Sequence, residues 1–168
     1  MTTSIDHDNI ERARGLDRDR GLFAKLAAST PSLQDLGLAL VRVGFGLSLA
    51  LAHGLGKLSH PDQFVNGLTQ GGFPAPALLG WVAILSEFAG GLLLALGLFA
   101  RPAAALVIGT LGVAAFHVHG ADPFQKKELA LAYTIVGLAV LIAGPGRFSI
   151  DALLARRTAN GTRATTTT

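Results

Sequence analysis

Glu87 and Arg42 are the residues whose type and setting most suggest chemistry, because each is a charge inside a long apolar stretch. A carboxylate near the centre of a bilayer is costly unless it is protonated, paired or in contact with water. Glu87 is therefore expected to face the interior of a helix bundle, with Arg42 as its partner. Together they are the candidate catalytic residues. Two readings of Glu87 stand side by side: a proton-relay or ligand group, or one half of an ion pair that ties two helices together. Arg42 has an alternative too, since its guanidinium can snorkel to the nearer headgroups.

A second set of polar groups falls toward the opposite surface: His53, Lys57, His60, His117 and His119. His53 and Lys57 are four apart and share a helix face. With His117 they are the candidate cofactor-binding residues. His117 and His119 are two apart and point to different sides of a continuing helix. Asp122 and Glu128 lie nearby, so one reading is proton transfer or metal ligation at an outer mouth, and the other is a set of polar residues at the membrane interface. No HxxxH or HxxE spacing supports a metal, and none is predicted. The chain has no cysteine, which excludes a disulfide, a thiolate nucleophile and cysteine metal ligands within it.

The elements that must position these groups are helices long enough for a membrane. Half of the 168 residues are apolar and only 15% are charged, against about a quarter in soluble domains. Mean hydropathy is +0.47. Charge collects in the first 35 and last 24 residues, leaving long uncharged stretches between. The spacing predicts an all-α bundle of four transmembrane helices, at about 33–55, 77–100, 102–119 and 129–144. The second of these shows no polar face over its whole length, which argues against a soluble bundle. Its 24 residues reach about 36 Å, enough for a hydrocarbon core of about 30 Å.

Small residues within the spans, such as Ser86 and Gly90 four apart, permit close helix approach. Residues 58–76 read as a Gly/Pro-rich loop with interfacial aromatics. Residues 1–32 form a polar tail with a short interfacial helix around Leu16 to Leu26. Residues 149–168 read as a basic, Thr-rich, disordered tail. Ala50-Leu51-Ala52 resembles a signal-peptide cleavage site, but the preceding region is too long and Arg42 interrupts the apolar core.

Lys and Arg count ten on one side of this scheme (five before the first span, Arg101, and four in the tail) and three on the other. That bias predicts that both termini are cytoplasmic. The net charge of +3 is explained by these flanking residues, so no nucleic-acid partner is expected.

Four motifs in order, RVGFG at 42–46, HGLGKL at 53–58, SEFAGGLLLALGLFAR at 86–101 and GPGRFSID at 144–151, resemble the DoxX family of small four-helix bacterial membrane proteins. The resemblance spans about residues 38–151. The matching positions are Arg42, Gly46, Gly54, Lys57, Glu87, Gly90, Gly91, Gly97, Arg101, Glu128, Gly144, Gly146, Arg147 and Asp151. It implies a multi-pass protein of the bacterial cytoplasmic membrane. It further implies a link, in some members, to quinone-dependent oxidation or to oxidative-stress and thiol-handling complexes. It supplies no agreed catalytic residue.

The expectation that follows is a membrane subunit of a quinone-linked oxidoreductase, with quinone as an exchangeable cofactor and redox proteins as partners. Two alternatives are a noncatalytic scaffold for soluble enzymes and a small-molecule carrier with Glu87 as its protonatable group.

Overall fold

The computed structural model describes residues 31–165, and among them every regular element is helical. The chain divides into two units at residues 34 and 35, and of the first only residues 31–34 are described. The interfacial helix expected within residues 1–32 lies outside the described residues.

The first long helix begins as α1 (Pro31–Ser48), passes through a π-helical segment (Leu49–Gly54) and ends as α2 (Leu55–Ser59). A second helix, α3 (Pro61–Gln70), follows at once. The next long helix comprises α4 (Pro76–Leu85), a π-helical turn (Ser86–Gly90) and α5 (Gly91–Leu96). Then come α6 (Ala100–Val113) with its π-helical end (Ala114–Val118), α7 (Phe124–Ala143) and α8 (Ile150–Thr165). Three continuous helices are long and apolar enough to cross a membrane: Ser32–Ser59, Pro76–Leu96 and Ala100–Val118.

Two parts of the sequence reading are corrected. The segment read as a loop contains α3, because Pro61 sits at a first-turn position where its missing N–H costs nothing. Its Val65 and Leu68 then pack over Gly80 of α4. Within the segment read as a disordered tail, Ile150–Thr165 forms α8. Ser149 starts it, its Oγ accepting the Ala152 N–H at 3.2 Å in the manner of an N-cap.

The long helices meet through small residues. A Cβ on Gly91 would lie 2.8 Å from the Gly46 carbonyl oxygen, and one on Gly54 would lie 2.5 Å from the Phe88 nitrogen. Only glycine fits at these two crossings, so the first two spans touch backbone to backbone. Gly90 turns to the third span and faces Val107. The buried core gathers Phe45, Leu49, Leu94, Ala103, Ala104, Val107, Leu111 and Val140, with Tyr133 packed against it. Leucines and phenylalanines elsewhere on the spans point outward, as lipid-facing side chains do.

Candidate functional site

Arg42 and Glu87 do not meet. Arg42 is 1% exposed, and Nη1 donates to the carbonyls of Leu94 (2.5 Å) and Ala95 (2.7 Å) while Nη2 donates to that of Phe148 (2.7 Å). The Leu94 and Ala95 carbonyls lie seven and eight residues beyond Glu87, about 11 Å along the helix. Leu94 and Ala95 belong to the last turn of α5, where carbonyls have acceptor capacity left over and the helix dipole favours a cation. The expected Arg42–Glu87 pair is therefore replaced by a cation capping a helix end.

Around Arg42 the glycine-and-arginine motifs form one tied end of the bundle. Gly97 has φ +66° and closes α5, with Leu98 N–H reaching the Leu93 carbonyl at 3.0 Å and Gly97 N–H the Leu94 carbonyl at 3.1 Å. A Cβ at Gly97 would also strike Arg42 Nη1 at 2.6 Å. The Asp151 carboxylate accepts the Phe99 and Ala100 N–H groups (2.9 and 3.0 Å), satisfying the start of α6. Asp35 accepts the Arg147 N–H at 3.1 Å. Arg42, Gly97, Arg147 and Asp151 thus have structural duties.

Glu87 takes Lys57 as its partner instead, with Nζ 2.5 Å from Oε1. The first span runs to Ser59, so Lys57 sits on the membrane helix rather than in a loop. Gly54 brings that helix onto the backbone at Glu87, and Lys57 follows about one turn later. The ammonium also lies 4.8 Å from the centre of the Phe64 ring, a cation–π contact. The Glu87 side chain is 3% exposed, and its second oxygen, Oε2, is buried without a hydrogen-bond partner, as is Ser86 Oγ.

Two cavities share Lys57. One, of about 500 Å³, is lined by Glu87, Lys57 and His119 among apolar side chains including Leu79, Val82, Leu106 and Val113. Those four apolar residues are themselves on the outer surface of the bundle, so this cavity opens sideways. The other, of about 570 Å³, is lined by Lys57, His60, Phe64, Phe73 and His117 beneath α3. His117 packs edge-on against Phe73 at 4.9 Å. His53 goes elsewhere, its ring edge-on to Tyr133 at 5.7 Å.

Of the expected cofactor-binding residues, then, Lys57 and His117 share a cavity and His53 stands apart. His119 Nδ1 lies 2.9 Å from Asp122 Oδ2, and that hydrogen bond holds the Asp122 carboxyl below its ordinary range. Glu128 is exposed and takes no part in either cavity. Among the described residues no three His, Asp or Glu side chains converge as metal ligands would.

Glu87, His53 and His117 each fall within a π-helical turn, a rare geometry that often accompanies functional sites. The sequence gives no sign of these turns. It also gives no sign of the Phe64 and Phe73 walls, which come from the segment read as a loop. The Lys57 contact had one available signal: no helix breaker precedes His60-Pro61, so the first span should have been carried through Lys57.

Comparison with known proteins agrees with the motif pattern. The DoxX family model matches residues 37–120. The chain is 30% identical over 132 residues to the inner membrane protein YqjF of Escherichia coli (strain K12), covering 74% of this chain and 97% of that protein. No solved structure matches the chain. With apolar spans, shared motifs and a full-length relative in agreement, the chain belongs to the DoxX family and is a multi-pass protein of the cytoplasmic membrane.

Proposed function

We propose that the cavity beside Glu87 receives a quinone headgroup from the lipid, and that the chain is the membrane subunit of a quinone-linked oxidoreductase or oxidative-stress system. The observation that carries this reading is Glu87 Oε2, a buried carboxylate oxygen with no partner, on a residue that lines an apolar cavity. A buried polar atom left unpaired is costly and calls for an explanation, which a polar ligand supplies. The volume of about 500 Å³ lies within the usual range for small-molecule sites, and a few polar groups on an apolar wall is their usual composition.

Lys57 has further N–H donors for a ring carbonyl, and Glu87 Oε2 can hold a proton beside a ring hydroxyl. Leu79, Val82, Leu106 and Val113 keep water away. Bound quinone supplies a two-electron, two-proton acceptor, and the electrons are assigned to a partner protein or external substrate. The proposal includes α7 as a fourth crossing. Its uncharged part, residues 129–143, reaches about 22 Å, so Lys126 and Lys127 must snorkel to the headgroups. The Lys/Arg asymmetry supports a cytoplasmic position for the tied Arg42 end.

A membrane-permeant carbodiimide, which modifies carboxyl groups in apolar surroundings, tests the site. Glu87 should be labelled in membranes and shielded by a quinone analogue. Labelling that the analogue does not slow would remove the quinone and favour the scaffold or carrier readings.

A further inference from the structure

We propose that α8 is an interfacial helix that binds anionic phospholipid in the leaflet at the Arg101 end of the bundle. Its first turn is fastened to the membrane domain. The Asp151 carboxylate holds the first N–H groups of α6, and the Asp151 N–H donates to the Gly97 carbonyl at 3.0 Å. The helix therefore leaves from the junction where the second span ends and the third begins, which is the membrane surface. It does not hang from a flexible linker.

What it carries suits that surface and not water. Phe148, Leu153 and Leu154 are 58%, 54% and 50% exposed. Arg101, Arg147, Arg156 and Arg157 are exposed at the same end. Among the described residues the acids at this end are already engaged: Asp151 by backbone N–H groups, and Asp35 by Arg147, 3.9 Å away. Among the described residues no carboxylate pairs with Arg101, Arg156 or Arg157.

Helical spacing puts Ile150, Leu153 and Leu154 on one face and Ala155 on the opposite one. Arg157 falls at the end of the apolar stripe, where its stem can lie along the acyl boundary and its guanidinium reach a phosphate. Apolar side chains flanked by unpaired arginines are what a headgroup layer of anionic lipid accommodates.

The chain contains no cysteine, so a single introduced cysteine can be labelled without background. Fluorophores on Leu153→Cys and Ala155→Cys would be compared in nanodiscs of phosphatidylglycerol and phosphatidylcholine. The 153 label should be quenched by an acyl-borne quencher and the 155 label by aqueous iodide. Native mass spectrometry should show phosphatidylglycerol retained over phosphatidylcholine. The preference should fall about fivefold for each arginine lost in Arg156→Gln and Arg157→Gln. Equal iodide quenching at 153 and 155 would overturn the interfacial placement. Unchanged lipid retention in the double arginine variant would overturn the anionic-lipid contact.

Discussion

The Lys57 ammonium lies between the Glu87 carboxylate and the Phe64 ring, while Glu87 itself is almost wholly buried. The two partners therefore respond differently to loss. Lys57→Met strands an unpaired carboxylate in an apolar setting. Fully buried pairs lose about 3–5 kcal/mol on such a change, and the 29% exposure of Lys57 reduces that to about 1–3 kcal/mol. Glu87→Gln should be milder, because Lys57 can turn toward water. Thermal unfolding in detergent should show Lys57→Met as the less stable variant, with Lys57→Met/Glu87→Gln recovering most of the loss. Strictly additive effects would mean the pair is not coupled.

Arg42 is a different case, since its acceptors are three backbone carbonyls. Arg42→Lys gives up the planar fork that reaches them and should cost about 1–3 kcal/mol without altering the Glu87 cavity. Both charges could be recognised from their apolar surroundings. The carbonyl partners of Arg42 could not, because helix-end acceptors leave no mark on composition.

At the scale of elements, the separation between glycines that pack and glycines that do not governs the bundle. Gly54 meets the backbone at Phe88, whereas a Cβ at Gly44 would meet nothing within 4 Å. Gly54→Ala should force the first two spans apart, lower stability by about 1–3 kcal/mol and weaken the Lys57–Glu87 contact. Gly44→Ala should be neutral or stabilising by up to about 1 kcal/mol, because alanine favours the helix. Unfolding of the two variants side by side checks this, and equal losses would contradict the crossing. Gly97→Ala should also be poorly tolerated, since its positive φ and its contact with Arg42 both exclude a Cβ.

The three long apolar helices were legible from hydropathy, as was the approximate start of each. Their ends were less so. The first runs four residues beyond Leu55, and the second stops at Leu96 because Gly97 closes it. Helix α3 was hidden by its glycine and proline, and the π-helical turns by having no compositional signature.

Across the membrane domain, the described polar groups divide between two ends. The Arg42 end satisfies helix termini with Asp35, Ser149 and Asp151, and the Lys57 end holds the cavities. This polarity was partly visible in the ten-to-three distribution of Lys and Arg. Single cysteines after Gly72 and Ala121 should react with an impermeant thiol reagent applied outside intact cells, and those after Arg101 and Arg157 only after lysis. Outside reactivity at Arg101 would invert the arrangement and move the Glu87 cavity to the cytoplasmic half.

The most direct measurement is equilibrium binding of a quinone analogue to the purified protein in nanodiscs, comparing wild type, Glu87→Gln and Arg42→Lys. Saturable binding should appear in the wild type and weaken at least about tenfold, some 1.4 kcal/mol, in Glu87→Gln. Arg42→Lys should bind with the wild-type Kd despite its lower stability. Absence of saturable binding in the wild type, or identical Kd values for wild type and Glu87→Gln, would contradict a quinone site at Glu87.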